Sequence, residues 1–291
     1  MGRAVAFLIS VLLLAACGSA GASSGGAVNV VAGENFWGSI ATQLGGSKVS
    51  VHSIVSDPNA DPHEYESSAV DARVFAEARL VILNGAGYDQ WGQKLLDANR
   101  SSNRDVLNVA DLLGKKHGDN PHFWYDPAYV TKVADRITAE YKTIDPGNAG
   151  YFDQQRLQLR AAFTPYLNEI ATIKEKYAGT PIGATESIFH YVAVALGLNL
   201  TTPVEFMDAV AEGNDPPAGA VAEFLTQISG NKIKVLVYNV QTTTAVTTNL
   251  KSLAAANRIP SVGVSETLLP ENLSFQDWQL KQLKDLEAAL K

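Results

Sequence analysis

Phe152-Asp-Gln-Gln-Arg-Leu-Gln-Leu-Arg-Ala-Ala-Phe-Thr-Pro-Tyr-Leu-Asn-Glu-Ile-Ala-Thr-Ile-Lys-Glu-Lys-Tyr177 is the stretch that decides the fold. Leu159, Phe163, Tyr166, Leu167, Ile170, Ile173 and Tyr177 recur at steps of three and four, which places apolar side chains on one stripe of an α-helix. A helix of this length, at 1.5 Å rise per residue, spans roughly 39 Å, the diameter of a small domain. Pro165 lies inside it, where it removes a backbone donor and crowds the preceding turn, so a bend is expected there. The alternative is two shorter helices meeting at Pro165 within one domain. What favours a rod joining two lobes is that the chain on either side of it has the same character.

Before it, apolar runs at Val28–Ala32, Lys48–Val55, Arg79–Asn84 and Asp105–Val109 read as strands. Helical segments follow them at Gly33–Leu44, Ser67–Ala78 and up to Ala98, the last with Asp89 placed to cap it. A further helix is expected over Ala128–Lys142. After the rod, strands are expected at Pro181–Ala184, Leu198–Glu205, Lys232–Asn239 and Ser261–Val264. Helices are expected at Ser187–Leu196, Asp215–Ser229, Thr243–Asn257 and Phe275–Leu290. Strand and helix in alternation imply parallel sheets covered on both faces. The expected fold is therefore α/β: two lobes, each a mainly parallel sheet covered by helices, joined by one long backbone helix. The corresponding division is a leader at 1–17, a tether at 18–27, a first lobe at 28–147, a linking helix at 148–178 and a second lobe at 179–291.

The leader reads as a targeting segment. Arg3 is followed by an apolar run from Ala4 to Leu14, too short to span a bilayer, and then by Leu14-Ala15-Ala16-Cys17. This resembles the bacterial lipobox, in which the cysteine is acylated, and Cys17 is the only cysteine in the chain. The Gly/Ser/Ala-rich stretch after it suits a tether, and a single cysteine offers no disulfide to an exported protein. A net charge of −7 without a Lys/Arg cluster argues against a nucleic-acid surface. Neither a phosphate-binding glycine loop nor a GxSxG elbow is present.

Ligands of open α/β sheets bind beyond the carboxyl ends of the strands. Four metal-binding side chains fall at or just after such ends: His63 in Asp61-Pro-His-Glu-Tyr-Glu66, His122 in Asn120-Pro-His-Phe-Trp-Tyr-Asp-Pro127, Glu186 and Glu266. Each histidine directly follows a proline, whose ring lowers the entropy lost when the imidazole is fixed. Two neutral imidazoles and two carboxylates balance a divalent cation, which matters in a cleft where an uncompensated charge is costly. Taken singly, each is weak evidence: a loop histidine is usually a surface group, and a glutamate opening a helix is usually a cap. His52 reads as structural and His117 as solvated. His190, one turn after Glu186, is a supporting group or alternative ligand.

Together, the lipobox, the two histidine motifs, Asn84-Gly-Ala-Gly-Tyr88, the long helix and Thr185-Glu-Ser-Ile-Phe-His-Tyr191 resemble the zinc/manganese solute-binding lipoproteins of bacterial ABC transporters. The resemblance covers nearly the whole chain after the leader. It implies two lobes on a rigid helix with one metal ion between them, bound by His63 and His122, by Glu186 and by a residue of the last loop. That fourth residue is usually an aspartate in the family, and the nearest match here is Glu266, with Gln241 as the alternative. The loop before His122 lacks the His/Asp-rich run of many zinc-specific members. Two nitrogens and two oxygens suit harder cations such as Mn2+, while zinc retains the higher intrinsic affinity for such mixed sets and Fe2+ stays a candidate. The implied partners are a membrane permease with its cytoplasmic ATPase. The implied location is extracytoplasmic, on a lipid anchor, as a monomer that does no chemistry on its cargo. Two rival readings stand beside it: a secreted metal-dependent hydrolase with Glu186 or Glu266 as base, and a surface adhesin with a structural metal. Against the first, there is no HExxH or comparable helical metal motif.

Overall fold

The computed structural model describes residues 26–58, Pro62 and 65–291. Cys17, the leader, most of the tether and His63 lie outside the described residues.

The first lobe holds strands β1 (Val28–Glu34), β2 (Val49–Val55), β3 (Leu80–Leu83) and β4 (Asp105–Asn108), in the order β2-β1-β3-β4. All three pairings are parallel. Every residue of β3 is buried, as a strand covered on both faces requires. The covering helices are α1 (Asn35–Gly45), α2 (Ala69–Glu77), α3 (Gln90–Ala98), α4 (Val109–Leu113) and α5 (Pro127–Ile144). The short α4 was not foreseen. Asn108 caps it, its side-chain oxygen accepting the Asp111 N–H at 3.1 Å.

The linking rod is α6 (Ala149–Ala162) followed by α7 (Thr164–Tyr177). They abut at Phe163, which keeps helical dihedrals of φ −77° and ψ −13°. The Phe163 N–H still bonds to the Leu159 carbonyl and the Leu167 N–H to that of Phe163, both at 3.0 Å. Pro165 therefore sits in the first turn of α7, where its missing donor costs least, and divides the rod without ending it. Leu159, Phe163, Tyr166, Ile170 and Ile173 form the buried stripe. Leu167 departs from it and faces solvent.

The second lobe holds β5 (Pro181–Ala184), β6 (Asn199–Leu200), β7 (Leu236–Asn239) and β8 (Ser261–Val264), all parallel, in the order β6-β5-β7-β8. Its helices are α8 (His190–Ala195), α9 (Val204–Ala211), α10 (Ala218–Ser229), α11 (Ala245–Ala256) and α12 (Phe275–Leu290). Two expectations are corrected here. The strand expected over Leu198–Glu205 pairs only at Asn199 and Leu200, because Pro203 cannot donate to a ladder and instead opens α9. The helix expected from Asp215 starts at Ala218, since Pro216 and Pro217 keep the residues before them out of helical geometry.

The final helix straddles both halves. It packs against α7. Near its start, Gln276 and Gln43 of α1 exchange amide hydrogen bonds, and the Phe275 N–H donates to Ser39 Oγ. The largest buried apolar cluster likewise runs from Val30 and Trp37 through Phe163 and Tyr166 to Val264 and Trp278. The lobes therefore share a core instead of touching across a wet interface.

Candidate metal centre

In each sheet the winding reverses beside the first strand, so the crevices lie at the carboxyl ends of β1 and β3 and of β5 and β7. Glu186 stands two residues beyond β5, and Glu266 two beyond β8. His122 comes from the loop after α4. These three side chains are fully or almost fully buried, and their ligand atoms lie within 4.8 Å of one another. The structure thus brings together three of the four residues expected to bind metal, from both lobes. His63, the fourth, lies outside the described residues.

The His-Phe-Trp-Tyr run explains how His122 is held. Phe123, Trp124 and Tyr125 form one 3-10 turn with all three rings buried. Trp124 stacks on Phe36 of α1, with centroids 3.9 Å apart, and meets the His122 ring edge-on at 5.2 Å. Tyr125 donates its O–H to the Ser265 carbonyl at 2.8 Å, beside Glu266, and burial pushes its phenol well above the ordinary range, so that the proton stays.

Asn120 fixes the imidazole. Its Oδ1 accepts from the His122 backbone N–H at 3.0 Å and lies 2.8 Å from His122 Nδ1, while its Nδ2 donates to the Ser187 carbonyl at 2.8 Å. A carbonyl only accepts and a backbone N–H only donates, so the amide has one orientation. His122 Nδ1 must then carry a proton, so in the neutral ring the lone pair lies on Nε2.

Glu266 is held from both lobes. Its Oε2 accepts the Tyr88 O–H at 2.5 Å and its Oε1 accepts from Asn239 Nδ2 at 2.8 Å. Gln241, the alternative, lies beside it. The Gln241 Oε1 accepts the Glu266 and Thr267 N–H groups at 2.7 and 3.1 Å, and its Nε2 donates to Thr267 Oγ1, so this side chain shapes the loop that carries the carboxylate. Glu186, at the start of the 3-10 turn Ser187–Phe189, makes no side-chain cap, which removes the ordinary structural reason for a glutamate there. His190 is exposed and lines an outer cavity of about 640 Å³ together with His117, Asp208 and Glu212.

Tyr88 reaches Glu266 because Gly85, Ala86 and Gly87 all adopt left-handed dihedrals, with φ of 77°, 56° and 99°. A Cβ on Gly85 would lie 2.2 Å from Asn108 Oδ1, so only glycine fits. Asp89 does not cap α3 as expected. Its carboxylate turns back to accept the Asn84 and Gly85 N–H groups at 2.5 and 2.8 Å, pinning this turn.

A further buried acid, Glu34, lies outside the expected set. Glu34 ends β1 with no exposed surface, and burial, then the adjacent Asp89 carboxylate, hold its carboxyl well above the usual range, with Glu266 adding to the effect. Burial also raises Asp89, but two backbone N–H groups stabilise its charge. The pair's proton therefore sits on Glu34, facing Asp89. A polar residue closing the otherwise apolar run Val28–Ala32 at a sheet's reversal point was the available signal for it. Tyr88 and Asn120 lay within motifs already noted. Asn239 ended an expected strand without drawing notice.

The family profile described as zinc-uptake complex component A, periplasmic, matches residues 30–289. The manganese ABC transporter substrate-binding lipoprotein PsaA of Streptococcus mitis is 29% identical over 219 residues, 68% of this chain and 69% of that protein. The crystal structure of ZnuA superposes with a TM-score of 0.72 at 20% identity, covering 91% of this chain and all of that one. A mutant of the laminin-binding adhesin Lmb from Streptococcus agalactiae does so at 0.76 and 18% identity, covering 91% and 100%. At those identities the two structures speak for the fold.

Proposed function

This chain belongs to the zinc-uptake component A family, metal-binding substrate-binding proteins of ABC transporters and not enzymes, and from that premise we propose that it captures one divalent ion, Mn2+ or Zn2+, between its lobes and hands it to a membrane permease. Fe2+ is the third candidate. The observation that carries this reading is the convergence of His122, Glu186 and Glu266 from three separate loops of two lobes into one buried cluster. Buried carboxylates this close repel each other unless a cation or proton intervenes. Adding His63 completes two imidazoles and two carboxylates around a doubly charged ion, a neutral set with no position left for a reactive water.

The ligand set does not choose between the metals, because carboxylate oxygens suit Mn2+ while imidazole nitrogens suit Zn2+. A relative is named for manganese and the family for zinc. The relative's name also calls it a lipoprotein, which supports acylation at Cys17 and anchoring outside the cytoplasm. Among the described residues no helix is long and apolar enough to cross a membrane. In this reading residues 28–147 form the first lobe, 148–178 the link and 179–291 the second lobe.

A hydrolase would need a carboxylate poised to take a proton from water. Both oxygens of Glu266 already accept hydrogen bonds, a poor setting for a general base. The test is metal content by plasma mass spectrometry on the soluble form beginning at Ala27, wild type and Glu186→Ala, after equal exposure to buffered zinc, manganese and iron. About one equivalent of a single metal in wild type, lost in the variant, is expected. Wild type that retains no metal overturns the proposal.

A further inference from the structure

We infer that Asn120 is a cross-lobe latch, a positioning residue that ties the first-lobe ligand His122 to the chain beside the second-lobe ligand Glu186 and thereby slows release of the bound ion. The inference rests on the metal-binding reading above and adds a residue to it. Three observations carry it. One amide does two jobs at once: Oδ1 orients the His122 ring by accepting from its Nδ1–H, and Nδ2 crosses the cleft to donate to the Ser187 carbonyl at 2.8 Å, one residue from Glu186. The backbone of Asn120 is gripped as well, since the Tyr191 O–H of α8 donates to its carbonyl at 2.9 Å. Tyr191 in turn packs edge-on against Tyr129 of α5, with the Lys115 ammonium 5.5 and 5.6 Å from the Tyr129 and Tyr191 ring centroids.

The amide is the point of the design. A carboxylate at 120 could still accept from His122 and would make the imidazole a stronger donor to metal. Its second oxygen, however, would face the Ser187 carbonyl at the distance where the N–H now donates, acceptor against acceptor. Asn120→Asp therefore separates the two roles. If orienting His122 were all that Asn120 does, the aspartate variant would hold metal as tightly as wild type or more so. If the bond across the cleft matters, it releases metal faster in spite of the better imidazole.

The experiment measures release of bound Mn2+, and separately of Zn2+, into excess chelator by stopped flow, on the soluble form beginning at Ala27. The proteins are wild type, Asn120→Asp, Asn120→Ala, Tyr191→Phe and the Asn120→Asp/Tyr191→Phe double variant. The expected off-rate for Asn120→Asp is roughly tenfold above wild type, with a smaller change in the on-rate. Asn120→Ala, which loses both roles, is expected to weaken affinity roughly ten- to hundredfold. Tyr191→Phe removes only the grip on the Asn120 carbonyl and should speed release by a few fold. In the double variant that few-fold effect should shrink, because the latch is already open. Should Asn120→Asp fold poorly, Tyr191→Phe carries the test alone. An Asn120→Asp off-rate equal to or below wild type, or a Tyr191→Phe off-rate equal to wild type, overturns the latch while leaving the metal site standing. A wild type that binds neither ion overturns both.

Discussion

Replacing Glu34 by glutamine should release the metal-free protein from a stability penalty that grows with pH. In the fold this carboxyl is fully buried beside Asp89 and keeps its proton, whereas in the unfolded chain it titrates near 4.5. Above that value the native state holds one proton that the unfolded state has given up. Stability conferred by protonated Glu34 is therefore complete below pH 4.5 and is lost as pH climbs toward the raised folded value. One proton corresponds to about 1.4 kcal/mol per pH unit, so wild type loses up to that much per unit relative to the variant while the folded carboxyl still holds its proton. Glutamine is nearly isosteric and offers Asp89 an N–H that needs no proton from solvent. The gap between the two melting curves should therefore widen by a few degrees per pH unit as pH rises from 5.5. The assay is thermal melting followed by circular dichroism in excess chelator, at half-unit pH steps, with the variant minus wild-type difference cancelling titrations common to both. A gap that stays constant across the range, or a variant less stable than wild type at pH 7.5, would refute the assignment of the proton to Glu34.

Metal affinity should fall steeply between pH 7.5 and 5.5, because imidazoles must be neutral and carboxylates ionised to coordinate; a flat profile in buffered-metal titrations would sink histidine ligation. Trp124→Ala removes the ring stacked on Phe36 beneath His122 and should cost about 3–5 kcal/mol in urea unfolding, with metal affinity falling alongside. Tyr125→Phe leaves the buried Ser265 carbonyl without its donor and should cost about 1–3 kcal/mol in the same assay. Crystals with and without metal should superpose with little rotation of the lobes, because α12 packs on α7 and is bonded to α1; a wide rigid-body opening would contradict this.

Much of this architecture could be read from residues alone, because its determinants are local. Buried parallel strands such as Leu80–Leu83 are continuous apolar runs, and the α6–α7 stripe repeats at helical spacing whether or not a proline interrupts it. The histidine motif at 122 announces itself through its proline and its aromatic run. What was not legible depends on partners distant in sequence. Asn120 gains its meaning from Ser187, 67 residues on, and Tyr88 from Glu266, 178 residues on. Asp89 stood in the right place for a helix cap, yet two N–H groups of the preceding turn won its carboxylate. Within Leu198–Glu205, strand-like composition outweighed Pro203, and the proline turned out to decide.

The two sheets are wound identically, and the same residue types recur at the ends of their central strands. Ala32 pairs with Ile82 in the first lobe and Ala184 with Val237 in the second. Two residues beyond the first rung stand Glu34 and Asn84; two beyond the second stand Glu186 and Asn239. A glutamate and an asparagine thus stand at matching positions beyond the central rung of both sheets. Their surroundings differ: Glu186 is clustered with His122 and Glu266, whereas Glu34 is buried beside Asp89 with its carboxyl held well above the usual range.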